Sequence, residues 1–395
     1  MYWLILICAI VGTFLYDISN YSKGKDLLFK ILLILVIVAS AFGYMLGSDS
    51  PYYQSVFENE VPTIWKFNFK NFNSIDSSFN IGFTLFMSLC KSIVPSFYFF
   101  KLVYACILNI TIFSFFKKNT DKLFMAILFY LMQGALYFNF EILREALAIC
   151  VFIWSIPYFE NKKWGKYLLF CALAFSLHVS SVIMLFVPLI QLIKVGNIKS
   201  SIIVSVIVII LLYMGLQFGQ SIKPIMQVFD AALDMNHAEY YLNSEKYGSK
   251  DSITISIPVF LFDVVLPIIM LYIIPRKRGV KGYYSFVLLL PILVILANLV
   301  GVFYRFSNYL MVFRVIFYVE IFEYLSIYYF KKMGLAGIAF ITVSLLYLGI
   351  IFKLNELSYN EFGNRSIDRY YPYASIFQDS SNPARRYHQQ RVIIY

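Results

Sequence analysis

The stretch Lys25-Asp26-Leu27-Leu28-Phe29-Lys30-Ile31-Leu32-Leu33-Ile34-Leu35-Val36-Ile37-Val38-Ala39-Ser40-Ala41-Phe42-Gly43-Tyr44-Met45-Leu46-Gly47-Ser48-Asp49 decides the fold. No charge falls between Lys30 and Gly47, and no polar face recurs along it. A helix needs about 20 mostly apolar residues to cross a bilayer core. A helix that is apolar all round belongs in lipid or in a protein interior. Residues 27–47 therefore read as a membrane span that opens at lysines and closes at a glycine followed by a carboxylate.

The same pattern recurs outward in both directions. Candidate spans are 1–16, 97–116, 122–139, 141–159, 201–218, 253–274, 283–303, 307–329 and 334–352. The first run has no basic segment before it and no small-residue cleavage site after it, so it is expected to remain a span. Segment 79–91 is apolar but short, and 167–193 is apolar with His178 at its middle. The expectation is an all-α, polytopic membrane bundle of about 11 to 13 helices. Its spanning part would cover 1–352, with outer loops at 48–78 and 219–252 and an outer tail at 353–395.

Composition agrees with that. Of 395 residues, 60% are hydrophobic and 14% charged, whereas soluble domains carry about 25% charged residues. A disordered chain, a secreted disulfide scaffold and an ordinary soluble enzyme are excluded. The five cysteines lie singly in apolar runs, without metal-ligand spacing. The net charge of +11 fits a lysine-rich cytoplasmic face, with no nucleic-acid partner.

Charge sets the orientation. Lys23, Lys25, Lys30, Lys117, Lys118, Lys122, Lys162, Lys163, Lys166, Lys194, Lys199, Arg276, Lys277, Arg278, Lys281, Lys331 and Lys332 fill one set of short loops. The positive-inside bias makes that set cytoplasmic. The alternation holds if 79–91 does not cross. It also requires 167–193 to form a hairpin of two short helices turning outward at His178.

Several residues carry possible chemistry. Asp49, in Gly47-Ser48-Asp49-Ser50-Pro51-Tyr52-Tyr53, is either a general base or hydroxyl acceptor or part of a turn. Arg144, in Asn139-Phe140-Glu141-Ile142-Leu143-Arg144, lies about one turn into an apolar helix. Its planar fork suits a diphosphate; the plain alternative is a helix-end ion pair with Glu141. His178 could accept a proton near neutral pH or be a hydrogen-bonded core residue; no metal-ligand partner lies near it. Arg305 sits at the outer junction of two spans and could bind an anion or snorkel to headgroups. Arg314 is expected in an internal ion pair, with Asp263 of another helix as the candidate partner. Arg369-Tyr370-Tyr371-Pro372-Tyr373 offers either an aromatic platform or an interfacial belt. The lysine-derived topology puts Asp49, Arg144, His178, Arg305 and the Tyr373 region on one face, as one outward site.

In these motifs the sequence resembles the EpsG family of bacterial polysaccharide polymerases, which is similar to the Wzy-type O-antigen polymerases. The motifs are Gly47-x-Asp49 with Tyr53; Asn139 with Leu143-Arg144-x-Ala146-Leu147-Ala148; Phe175-x-x-His178-x-Ser180; Arg305 with Tyr309; and Tyr371-Pro372-Tyr373. They occur in family order over roughly 45 to 376. The chain departs at Glu145 and Val179, where the family commonly has Gln and Pro.

The resemblance implies a GT-C-like polymerase or ligase architecture in a bacterial cytoplasmic membrane. It implies glycosyl transfer at the outer face, from undecaprenyl-diphosphate-linked oligosaccharide repeat units onto a sugar hydroxyl, used for exopolysaccharide, capsule or O-antigen. Related ligase-type enzymes are regarded as metal-independent, so neither cofactor nor metal is expected. The bilayer, a chain-length regulator and a flippase are the implied partners. Arg144 and Arg305 would meet the diphosphate and His178 or Asp49 would act as base. Tyr53 and Tyr373 would line the sugar path, with Asn139 also at the substrate. Competing readings are a flippase or transporter of lipid-linked oligosaccharides and a membrane glycan acyltransferase. The first lacks a convincing internal repeat, and the second lacks a long cytoplasmic loop for an acyl donor.

Overall fold

The computed structural model describes residues 1–67, 79–192, 198–218, 255, 259–278, 283–299, 303–328, 369–371 and 373–377. Every regular element among them is helical. The expected span 334–352 and loop 219–252 lie outside the described residues, as do positions 68–78 of the first outer loop and most of the tail.

The helices are α1 (Tyr2–Gly12, continuing as a π-helical turn Thr13–Ile18), α2 (Lys25–Ala41), α3 (Ser50–Asn59), α4 (Ile81–Ile93), α5 (Phe97–Asn119) and α6 (Leu123–Gln133). Then come α7 (Ala135–Phe140), α8 (Leu143–Glu160), α9 (Trp164–Leu177), a 3-10 helix (Val179–Leu192) and α10 (Ile198–Phe218). A π-helical turn Phe260–Val265 leads into α11 (Leu266–Arg278), followed by α12 (Tyr284–Leu299), α13 (Tyr304–Tyr309) and α14 (Met311–Tyr328).

Among the described residues, α5 alone is both long and apolar enough to cross a membrane in one piece; several others are apolar but shorter. The outer faces explain what surrounds the chain. On α1, Trp3, Leu4, Ile7, Val11, Phe14 and Leu15 are exposed; on α10, Ile202, Ile203, Val206, Ile209, Ile210 and Tyr213 are exposed. Both sets follow the helical period. Helices in water put polar residues there; apolar stripes on outward faces fit a membrane protein.

Three expectations change. The predicted span 122–139 is two helices, broken at Gly134 (φ −152°, ψ −11°). The span 27–47 ends as a helix at Ala41, and Gly43–Gly47 runs irregularly, with Met45 and Gly47 at positive φ. The outer loop is not a loop throughout, since Ser50–Asn59 is helical. Pro51 in its first turn and the 3/4 spacing of the buried Tyr53, Val56 and Phe57 are the signals for that helix. Lys91 of α4 fixes its far end, donating to the carbonyls of Phe57 (2.7 Å), Glu58 (3.0 Å) and Val61 (2.8 Å).

The break at His178 falls where the sequence puts it: α9 ends at Leu177 and the 3-10 helix begins at Val179. Run straight, these segments would leave Tyr167 and Met184 roughly 25–30 Å apart. Instead the Tyr167 hydroxyl donates to the Met184 carbonyl at 2.6 Å, so the chain folds back as a hairpin.

The chain divides into two compact units, Met1–Trp154 with Ala172–Val179 and Phe322–Tyr395, and Ser155–Cys171 with Ser180–Ile321. In the first unit α2 packs along α5, and α1 packs on α2 and α6. The α5 helix buries polar side chains that hydrogen-bond to its neighbours. Asn109 donates to the Asn139 side chain (2.9 Å), and Trp154 donates to Thr111 (3.1 Å). In the second unit α10 packs on α11 and α12, and Phe286 stacks on Phe313 at 4.4 Å. There Arg314 pairs with Asp263 at 3.4 Å, and the Tyr318 hydroxyl also donates to Asp263, at 2.7 Å. The internal ion pair is as expected.

Candidate functional site

The α5 helix works as a ruler for the first unit. Lys101 and Lys117 lie sixteen residues apart on it, about 24 Å along the axis. At the Lys117 end are the short basic loops. Lys117 pairs with Asp26 at 2.8 Å, which holds the exposed Asp26 carboxyl below its ordinary range, through the hydrogen bond first and the lysine charge second. Lys122 donates to the Asp17 carbonyl at 2.5 Å. The Asp17 carboxylate accepts the Met125 N–H at 2.7 Å, so a residue of the first helical segment caps the start of α6.

At the Lys101 end three distant segments meet. The first is the α7–α8 turn. Lys101 donates to the Asn139 carbonyl at 2.9 Å and lies over the Phe140 ring at 4.8 Å. Tyr104 donates to the Phe138 carbonyl. These donors satisfy carbonyls that the end of a short helix leaves open. The Asn139 side chain also donates to the Ala135 carbonyl at 2.8 Å. Asn139 is thus buried, with both groups of its amide bonded within the protein.

The second segment is Gly43–Tyr53. Gly47 sits at φ +82°, a conformation natural to glycine. A Cβ there would stand 2.5 Å from the Phe140 carbonyl oxygen. Only glycine lets this backbone lie against the turn that leads to Glu141 and Arg144. Asp49 follows as the exposed N-cap residue of α3, its carboxylate accepting from Ser48 at 3.0 Å. Tyr53, one turn into α3, is buried and takes the Arg144 Nε–H on its hydroxyl at 3.3 Å. The Arg144 guanidinium lies over the rings of Phe79 (4.8 Å) and Tyr53 (5.9 Å). Aromatic faces stabilise a cation that has left bulk water, so this arginine is held in a cradle.

The third segment is the tail. Gly43 and Ser375 form an antiparallel bridge. Tyr44 N–H donates to Ala374 O (2.9 Å), Ile376 N–H to Phe42 O (3.1 Å) and Gly47 N–H to Arg369 O (2.8 Å). The Tyr373 hydroxyl donates to Ala39 O at 3.2 Å, and its ring meets Tyr2 edge-on at 5.2 Å. The buried Glu141 carboxylate accepts the Tyr370 hydroxyl proton and pairs with Arg369 at 3.1 Å. Burial, then the Glu141 charge, holds the Tyr370 phenol neutral, well above its usual range. Glu141 thus pairs with Arg369, where the plain alternative reading of Arg144 had an ion pair with Glu141. Arg369 is a site residue to which the sequence alone assigns no role.

His178 is buried at the turn of the hairpin, and Ala172–Val179 around it belong to the first unit. Its turn reaches Tyr53, the partner of Arg144, through α4. A Cβ on Gly82 would meet the Ser176 hydroxyl at 2.2 Å, and Phe83 beside it packs on Tyr53 at 5.8 Å. Arg305 lies in the second unit, its guanidinium over Tyr304 at 5.9 Å. In that unit Ser180 and Tyr309 share a hydrogen bond at 3.1 Å. The described residues contain no group of three or more His, Cys, Asp or Glu arranged to hold a metal ion.

The EpsG family matches residues 26–375. The chain belongs to the EpsG family. EpsG is a family of Wzy-type polysaccharide polymerases, so polysaccharide synthesis by a glycosyltransferase-like membrane polymerase is the role that membership supports. The EpsG match takes in all of the quoted motifs. No curated protein and no solved structure matches the chain.

Proposed function

We propose that this EpsG protein joins lipid-diphosphate-linked oligosaccharide repeat units at the outer face of the bacterial cytoplasmic membrane, in a GT-C-like bundle. The observation that carries the reading is the gathering of Asp49, Tyr53, Arg144 and the Arg369–Tyr373 segment at one end of α5. The basic loops with Lys117 and Lys122 lie at the other end. The positive-inside bias makes the lysine end cytoplasmic and the motif end external.

In the proposed reaction a sugar hydroxyl of the incoming unit attacks the anomeric carbon of the growing chain. A carbon–oxygen bond forms there, the bond to the diphosphate oxygen breaks, and undecaprenyl diphosphate leaves. The hydroxyl proton passes to a base, either His178 or Asp49. Arg144 meets the charge that develops on the leaving diphosphate, oriented by its hydrogen bond to Tyr53. The family resemblance alone offers Arg305, a residue of the second unit, as a second cation. Tyr53 and Tyr373 border the sugar path, and Asn139 positions the turn. A flippase and a chain-length regulator are proposed as partners.

The test is purified protein in detergent with a synthetic undecaprenyl-diphosphate repeat unit, with and without EDTA, read on a gel. The expected result is a polymer ladder that survives EDTA and is lost in Arg144→Ala and in His178→Ala. Wild-type turnover in Arg144→Ala refutes its assignment. No ladder, with movement of the same lipid between liposome leaflets, moves the reading to a transporter.

A further inference from the structure

A carboxylate buried where an apolar side chain would pack carries a desolvation cost, offset only by close partners. Glu141 occupies such a place, between α7 and α8 and three residues before Arg144. Arg369 and Tyr370, more than two hundred residues along the chain, both reach it from the tail. The same tail segment makes three backbone hydrogen bonds to Phe42, Tyr44 and Gly47. Gly47 in turn rests on Phe140. Glu141 is thus the charged centre of a three-way junction joining the Asp49 loop, the Arg144 turn and the tail.

We propose that Glu141 is a positioning residue for glycosyl transfer: by holding Arg369 and Tyr370 it clasps tail residues 369–371 and 373–376 across the loop that bears Asp49 and the turn that bears Arg144. This rests on the polymerase reading above. The clasp fixes the spacing between the cation at the leaving group and the carboxylate at the acceptor. Misplacement by about 1 Å can cost a hundredfold in rate.

The test separates clasping from other roles of the carboxylate. Positions 44 and 374 face each other across the antiparallel pairing, about 5.5 Å apart at Cα, within disulfide reach. Tyr44→Cys with Ala374→Cys should cross-link on mild oxidation, read as the loss of two maleimide-reactive thiols. Glu141→Gln alone should lower kcat about tenfold to a hundredfold, and added to the cysteine pair it should slow cross-linking. In the triple variant, oxidation should restore kcat to within about threefold of wild type, and reductant should abolish the rescue. Unchanged kcat in Glu141→Gln overturns the proposal, as does a formed disulfide that restores nothing, or no disulfide in the wild-type background. If the wild-type protein makes no polymer, the polymerase reading fails by itself. The cross-linking rates still judge the clasp: equal rates with and without Glu141→Gln overturn it.

Discussion

Substituting Gly47 by alanine tests whether the first outer segment is seated on the Arg144 turn. Two separate costs arise at this position. The backbone sits at φ +82°, and a non-glycine residue in the left-handed region costs roughly 1–2 kcal/mol. A Cβ would also stand 2.5 Å from Phe140 O and 2.9 Å from Phe140 C, where ordinary contact begins at 3.4 Å. The obstruction is backbone, so a side-chain rotation cannot relieve it, and overpacking of this kind costs about 1–3 kcal/mol. Together the expected loss is about 2–5 kcal/mol if the seat is kept. If the loop lifts instead, stability is spared, but Tyr53 leaves Arg144, and turnover falls about tenfold or more. Gly24→Ala is the control, because Gly24 has φ +84° but meets only the Tyr16 hydroxyl, at 3.1 Å. Gly165, with nothing within 4 Å, is the second control. Thermal unfolding of purified protein, followed by tryptophan fluorescence, and the polymer assay read the series together. Gly47→Ala matching Gly24→Ala in both assays refutes the seating of the loop on the turn.

Three further outcomes follow from the same geometry. Tyr53→Phe keeps the ring packing on Phe79 and Phe83 but removes the acceptor for Arg144 Nε–H; turnover should fall about fivefold, near 1 kcal/mol, with an unchanged melting midpoint. Asp17→Ala removes the carboxylate that accepts the Met125 N–H at the start of α6, and should cost about 1–2 kcal/mol of stability; a melting curve matching wild type would discard that cap. In whole cells Ser48→Cys should react with a membrane-impermeant maleimide, and Lys117→Cys should react only after permeabilisation; the reverse pattern inverts the proposed orientation.

The candidate site was legible in parts. The motifs that marked Asp49, Tyr53, Arg144 and Tyr373 are short, yet the structure gathers them at one end of α5. Their sequence signal was the placement of unusual residues at the ends of apolar runs. His178 was legible because an imidazole interrupts an otherwise apolar stretch, and the chain does turn there. Arg305 shared the same signal, but it belongs to the second unit. The role of Arg369 was not legible, because nothing local to it distinguishes an anion-binding arginine from one that pairs with a carboxylate.

Sequence by itself determined that the chain is helical, the turn at His178, the lysine-marked end and the pairing of Arg314 with Asp263. Each depends on local composition, or on a buried charge that must find an opposite charge. Tertiary structure decided which charge Glu141 finds. The i,i+3 argument for Arg144 assumes one continuous helix, but Glu141 is the C-cap of α7 (φ −116°, ψ −60°) and α8 begins at Leu143. With the helix broken, Arg144 turns to Phe79 and Tyr53, and Glu141 is met by Arg369, 228 residues away. Local periodicity says where a side chain leaves its own helix. Which partner it meets depends on how distant segments pack, and there Gly47 and the tail settled the outcome.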